Sequence, residues 1–326
     1  MHITLKNICF MVVTTSFIAC SSNETVPSDS LDDMRNIVLD IMLPNRTLVR
    51  STQSSSFSTV DYYFGDNDSI GVCLENADAG KTGYARSNMK YISTGTGSAQ
   101  TWSTPDTKIA LNKDSAHISA YHPFHRATDP KAIAMDCLKG IDYLYAPFKA
   151  WTDSHRLSYL DPYVHLTMKH AQAVIIVKYV NDGYTGGNNK LTNFEVSGTS
   201  FGTKGNLNST TGAITNITGI YGHDMTKSPK NLPTANTDTL AVDTFYVIPT
   251  KLDKGTLNFK LTVDGDETTA STTKVLNPGY IYYFPLRYKG ESKELLIEGV
   301  TIVPWNTETM NNIQLVSKDL YNMLGI

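Results

Sequence analysis

The chain has 326 residues, with 28 Lys+Arg against 31 Asp+Glu and a formal net charge of −3. That mild acidity, with no basic stripe anywhere along the chain, argues against a nucleic-acid partner, whose phosphates call for clustered Lys and Arg. The length exceeds what one core usually organises, so two domains are expected.

The chain opens with Lys6, an apolar run over residues 8–13, and then Phe17-Ile18-Ala19-Cys20. Residues 1–19 read as a signal peptide. The apolar part is about half of the ~20 residues a spanning helix needs, and the polar Ser21-Ser22-Asn23-Glu24 follows at once. Ala19-Cys20 resembles the end of a lipobox, which would put a diacylglyceryl thioether on Cys20. Phe17 and Ile18 depart from the usual lipobox residues, and the alternative is an ordinary signal peptide with a chance cysteine. Acyl chains, at about 0.8 kcal/mol per buried CH₂, hold a protein on a membrane with no embedded segment. Residues 20–34, polar with Pro27 near their middle, then serve as a lipidated tether. With Cys9 removed and Cys20 lipidated, Cys73 and Cys137 remain. They read as buried thiols, although an exported location also permits a disulfide between them.

The first predicted strand places Ile37, Leu39, Ile41 and Leu43 on one face and ends in the basic, turn-like Pro44-Asn45-Arg46-Thr47-Leu48-Val49-Arg50. Asp66, Asn67 and Asp68 near Gly71 faintly suggest a calcium loop, but Ile70 takes a ligand position, so a turn before a strand is the better account. A strand is expected over 117–121 and a short helix over 130–139. Irregular, proline-bearing sequence near 156–165 marks the domain boundary, giving domains 35–162 and 163–326. In the second, strands are expected over 164–180, 245–248, 280–288 and 295–303. Leu257, Phe259, Leu261 and Val263 alternate with polar residues and meet Asp264-Gly265, a hairpin signal. Acidic residues at that tip read as simply solvated. The tail, 306–326, holds a candidate helix over 318–324. Many short strands with frequent turns argue for an all-β, antiparallel sandwich class.

Chemistry is sparse. His117 and His122 point to opposite sides of a strand, and His117 and His125 would lie about 26 Å apart along it. His165 and His170 fail the same parity test. There is no His-Glu-x-x-His helix, Cys-x-x-Cys pair or Gly-x-Ser-x-Gly elbow. No enzyme, metal or cofactor is expected. The aromatic runs Tyr62-Tyr63-Phe64 and Tyr280-Ile281-Tyr282-Tyr283-Phe284 suit strand packing. The same ring faces can stack on sugars, so a glycan-binding surface lipoprotein for nutrient uptake is the alternative function.

Several ordered segments carry a resemblance. They are Gly65-Asp66 with Ser69-Ile70-Gly71-Val72, Asn88 with Tyr91, Trp102, Ser119-Ala120-Tyr121-His122-Pro123-Phe124 and Asp142-Tyr143-Leu144-Tyr145-Ala146. Further on come His170-Ala171-Gln172-Ala173, Asn277-Pro278-Gly279-Tyr280 and Val303-Pro304-Trp305. In this order and spacing the chain resembles the fimbrillin-like lipoproteins of the Bacteroidetes, subunits of type V pili. The resemblance implies two tandem transthyretin-like antiparallel β-sandwich domains and a precursor lipidated at Cys20 on the outer membrane, then a place in the fimbrium. It also implies an arginine-specific cut after Arg46 or Arg50 that removes the first strand, 35–46, and assembly with other pilin subunits by strand exchange. The tail residues Ile313, Leu315, Val316, Leu320, Tyr321, Met323, Leu324 and Ile326 are either the donor strand or part of a helix packed on its own domain.

Overall fold

The computed structural model describes residues 35–43, 64–77, 80, 84, 86–95, 99–108, 110–126, 128–148, 157–232, 242–251 and 255–305. The elements that lie wholly within them are β-strands, apart from the 3-10 turn Cys137–Lys139.

The first half builds an antiparallel sheet ordered Lys169–His170, Leu144–Ala146, Ala116–His122, Ser69–Asn76, Arg86–Thr94, Thr101–Ser103. Val72 lies opposite Ala120 and Leu74 opposite Ile118. These four face a core shared with Ile70, Tyr91, Leu39, Ile41, Val164 and Leu166. The other face of the same sheet carries Tyr121, which packs with Ile133, Met135 and Tyr143 in a second cluster. Gly71 is the ladder partner of Tyr121, and the phenol ring lies across it: a Cβ at Gly71 would sit 2.0 Å from Tyr121 Cε1. The Tyr121 hydroxyl donates to Asn88 Oδ1 at 2.6 Å, and Asn88 Nδ2 donates to the carbonyls of His125, Arg126 and Thr128. The Gly71→Ala variant must displace that ring and the loop it secures, so we expect a loss of about 3 kcal/mol in urea unfolding. An unchanged midpoint would show that the ring moves aside freely.

The second half holds two sheets around a large aromatic core. One runs Phe201–Gly202, Val242–Pro249, Ala173–Asp182, Tyr280–Lys289, with Leu295–Ile297 and Thr301–Pro304 both on the far side of Tyr280–Lys289. The other runs Tyr221–Asp224, Lys190–Gly198, Leu257–Val263, Asp266–Thr272. The hairpin is the one the alternation dictates. Leu257, Phe259, Leu261 and Val263 are buried, and Asp264 and Gly265 turn the chain with φ of 48° and 91°, the backbone such a two-residue turn requires.

Four expectations need correction. Residues 130–139 are not a helix: Ile133–Asp136 is a strand paired with Lys204–Leu207, followed by the single 3-10 turn. Ile133 and Met135 are both buried through that long-range ladder, and the ladder outweighs local helical spacing. The run 164–180 is three strands, broken around Met168 and Ala171-Gln172, where Gln172 turns its amide inward to accept from Tyr143 N at 2.9 Å. Pairing is not wholly antiparallel. Ala173–Asp182 runs parallel to Tyr280–Lys289, and Val38–Met42 parallel to Tyr163–Thr167. Ala173–Val177 are buried without interruption and Val174 and Ile176 pack against Trp305 on the outer face, the double coverage usual for parallel strands, whereas the pair Val38–Met42 and Tyr163–Thr167 is covered on one face alone. Finally, Asp264 is not simply solvated at its hairpin tip. Its carboxylate accepts from Tyr184 Oη, Asn189 N and Lys190 N, each at 2.9 Å. Desolvation alone would raise its pKa, yet the Lys190 N–H and its companion donors hold it below the usual carboxylate value.

The first core takes in Val164, Leu166 and Met168, and the large second core begins at Ala173. The three-stranded sheet Ile133–Asp136, Lys204–Leu207, Ile214–Thr218 joins residues from both halves of the chain.

Candidate functional site: the leading strand and its groove

Val38–Met42 alternates strictly between exposed and buried positions. Leu39, Ile41 and Leu43 are buried in the first core, and Ile37 packs against it half-buried. The strand lies parallel to Tyr163–Thr167, with Val38 opposite Tyr163 and Met42 opposite Thr167. Val38 N donates to Pro162 O at 3.0 Å and Met168 N to Met42 O at 2.9 Å, closing the ladder at both ends. Among the described residues these two strands form a sheet of their own, which lies over the six-stranded sheet through their shared core. A short antiparallel bridge, Arg35–Asn36 to Ala110–Leu111, precedes it.

Apolar burial supplies most of the hold. Each of the three buried side chains is worth roughly 1.5–3 kcal/mol. A polar link across the outer face, Asp40 Oδ2 to His165 Nδ1 at 2.7 Å, joins two exposed side chains, and such pairs contribute about 0–1 kcal/mol. Take the strand away, and Val164 and Leu166 lose their cover while the main chain of Tyr163–Thr167 loses the one ladder it has among the described residues. What would remain is an apolar slot beside an unpaired strand edge, a receptor for another strand of alternating apolar residues.

The chain as a whole has relatives among known proteins. The sequence profile of the fimbrillin-like proteins matches residues 50–305. The chain belongs to the fimbrillin-like family. Sequence comparison with curated proteins finds no match. Among solved structures, a candidate cell adhesion protein from Bacteroides ovatus superposes with a TM-score of 0.53 at 17% identity, over 84% of this chain and 99% of that one. Another from Bacteroides uniformis gives 0.51 at 16% identity, over 85% and 100%. At such identities these two similarities show a common fold. A fimbrial protein from Bacteroides vulgatus is similar at a TM-score of 0.49 and 16% identity, over 83% and 100%.

Other residues singled out in this fimbrillin-like chain are dispersed. Cys20, Arg46, Arg50, Tyr62, Tyr63 and the tail 306–326, with its candidate helix and donor residues, lie outside the described residues. His117 and His125 are exposed, whereas His122 is buried with Nδ1 3.0 Å from Ser69 O, and burial pushes its pKa down. His170 is buried too, 3.0 Å from Asp142 and stacked on Trp305 at 3.9 Å. Among the described residues no three His, Cys, Asp or Glu side chains are grouped to hold a metal. Asp66 Oδ1 accepts from Gly95 N and Asp68 Oδ2 from Gly65 N, so these carboxylates lock a turn. Cys73 and Cys137 are free and buried, and burial raises both thiols, Cys137 to about 12.

Sequence reasoning passed over Asp243. This buried carboxylate accepts from Tyr179 Oη at 2.6 Å, lies 2.8 Å from His223 Nδ1, and accepts from Lys230 Nζ at 2.9 Å. The four residues are scattered over more than sixty positions of chain, from Tyr179 to Asp243, and no spacing rule could have gathered them.

Proposed function

We propose that this fimbrillin-like chain is a structural subunit, or a tip or adhesin component, of a type V pilus. It is exported as a lipoprotein through Cys20, held on the outer membrane by its acyl chains, cut after Arg46 or Arg50, and joined to other pilin subunits by strand exchange at the cell surface. In this reading residues 35–162 and 163–326 form tandem transthyretin-like sandwiches, and Tyr163–Thr167, the opening strand of the second segment, reaches back to complete the core of the first. The observation that carries the proposal is the leading strand: three buried side chains, a single ladder partner among the described residues, and a place at the start of the fold. Such a strand can leave without unthreading anything else, and a neighbour's strand with the same alternation can take its seat.

Purified precursor treated with an arginine-specific protease is expected to form ladders that resist detergent, and the Arg46→Ala/Arg50→Ala double variant to form none. A trimmed, stable core that never ladders would reject strand exchange. The lipid assignment is tested separately, because Cys20→Ala should abolish fatty-acid labelling in cells.

A further inference from the structure

The two sheets of the second half each end in an outermost strand on the same side of the sandwich, Asp266–Thr272 in one and Thr301–Pro304 in the other. Between them opens a pocket of about 600 Å³, within the range of small-molecule sites. Thr272, Thr273 and Lys274 form one wall, and Asn277, Tyr280 and Ile302 the other.

The second wall is built firmly. Tyr282, buried at the pocket floor, accepts from Asn277 N at 2.7 Å through its Oη. Gly279, at φ 77°, donates to Gln172 O and accepts from Trp305 N, both at 2.8 Å. Ile302 is the ladder partner of Tyr282. The turn 277–280 is thus tied to three different parts of the fold, so little ordering would be needed on binding.

The lining is chemically selective. Tyr280 and Ile302 are 41% and 39% exposed, large apolar surfaces that the fold leaves in water. Beside them stand Thr272, Thr273, Asn277 and Lys274, and among the described residues that line the pocket there is no carboxylate. A wholly apolar ligand would strand the hydroxyls and the ammonium. A polyphosphate would ask for more than one cation. A pyranose ring has a C–H face for the tyrosine and hydroxyl edges for the threonines and the amide. A carboxylate on that ring answers Lys274. We propose that this pocket binds a carboxylated saccharide, a uronic or sialic acid residue at the end or edge of a glycan.

The site lies apart from the leading strand, so it can be tested on unprocessed precursor, independently of any assembly. Full-length protein is titrated with glucuronic acid, N-acetylneuraminic acid and neutral lactose, and binding is read by calorimetry and by saturation transfer to the sugar protons. The acidic sugars are expected to bind at least about tenfold more tightly than lactose. Lys274→Met should erase that preference, and Tyr280→Ala should weaken every sugar about tenfold, while the unfolding midpoint stays in place because both side chains sit at the surface. No binding at about 10 mM acidic sugar, or binding that survives both substitutions unchanged, would overturn the proposal. So would a Tyr280→Ala effect confined to self-association, which would make the pocket a seat for a second copy of the chain.

Discussion

Replacing Ile41 with alanine is expected to cost about 3 kcal/mol of stability, and replacing it with aspartate to undock the leading strand altogether. Ile41 is 1% exposed and packs among Leu39, Leu43, Val164 and Leu166, where deleted methyl groups remove both transfer energy and packing, typically 2–5 kcal/mol. A charge at that depth has no partner and adds several kcal/mol more. Val38 and Met42 on the outer face provide the control: they are 47% and 39% exposed, and Val38→Ala should stay within about 0.5 kcal/mol. Leu39→Ala combined with Ile41→Ala should depart from additivity, since the two side chains share one stripe of the core. Urea unfolding of the whole chain supplies the numbers. The functional corollary is that an undocked Ile41→Asp protein should take up a synthetic peptide of residues 35–43, whereas the native chain, its seat occupied, should not. Equal costs at Ile41 and Val38 would mean that the seat contributes nothing, and strand exchange would lose its physical basis.

A second large effect is expected at Asp243. Its carboxylate lies in the strand Val242–Pro249, beside Tyr179 of the neighbouring strand, and reaches His223 and Lys230 on the facing sheet. Asp243→Ala would leave the Tyr179 hydroxyl buried without its acceptor and take the counter-charge from Lys230, a change that usually costs about 3–5 kcal/mol. The same group should make stability depend on acid. Burial alone would raise the Asp243 pKa, but hydrogen bonds from Tyr179, Lys230 and His223 outweigh it and hold the carboxyl below its ordinary value. A carboxyl depressed in the folded state stabilises the protein above its unfolded pKa, about 3.9, and that contribution fades as pH falls below it toward the folded value. The gap in unfolding free energy between native protein and Asp243→Ala should therefore be full at pH 7 and narrow toward pH 3. A gap independent of pH would show that Asp243 acts through packing alone.

Legibility in the sequence followed distance along the chain. The hairpin around Asp264-Gly265 and the inward face of Leu39, Ile41 and Leu43 could be read directly, because period-two alternation and a turn dipeptide are local signals. Residues 133–136 misled for the complementary reason: their helical spacing is local, while their ladder to Lys204–Leu207 lies seventy residues away. The candidate site divides in the same manner. Its donor side, the alternating apolar face, is written in nine residues. Its receptor side, Tyr163–Thr167, is supplied from far down the chain and in parallel register, and a strand's own sequence carries little information about which partner it will meet.

By itself the sequence determined that this chain is built from strands, that its first segment has one greasy face, and that its ordered signposts follow the fimbrillin-like pattern. Each rests on residues that are neighbours or occur in fixed order, so each is already present in the unfolded chain. The tertiary structure decided what had to be brought together. It set the leading strand against Tyr163–Thr167, gathered three donors on Asp243, and left a pocket between two sheet edges. Those outcomes depend on which surfaces are buried against each other, a quantity that comes into being only when the chain folds.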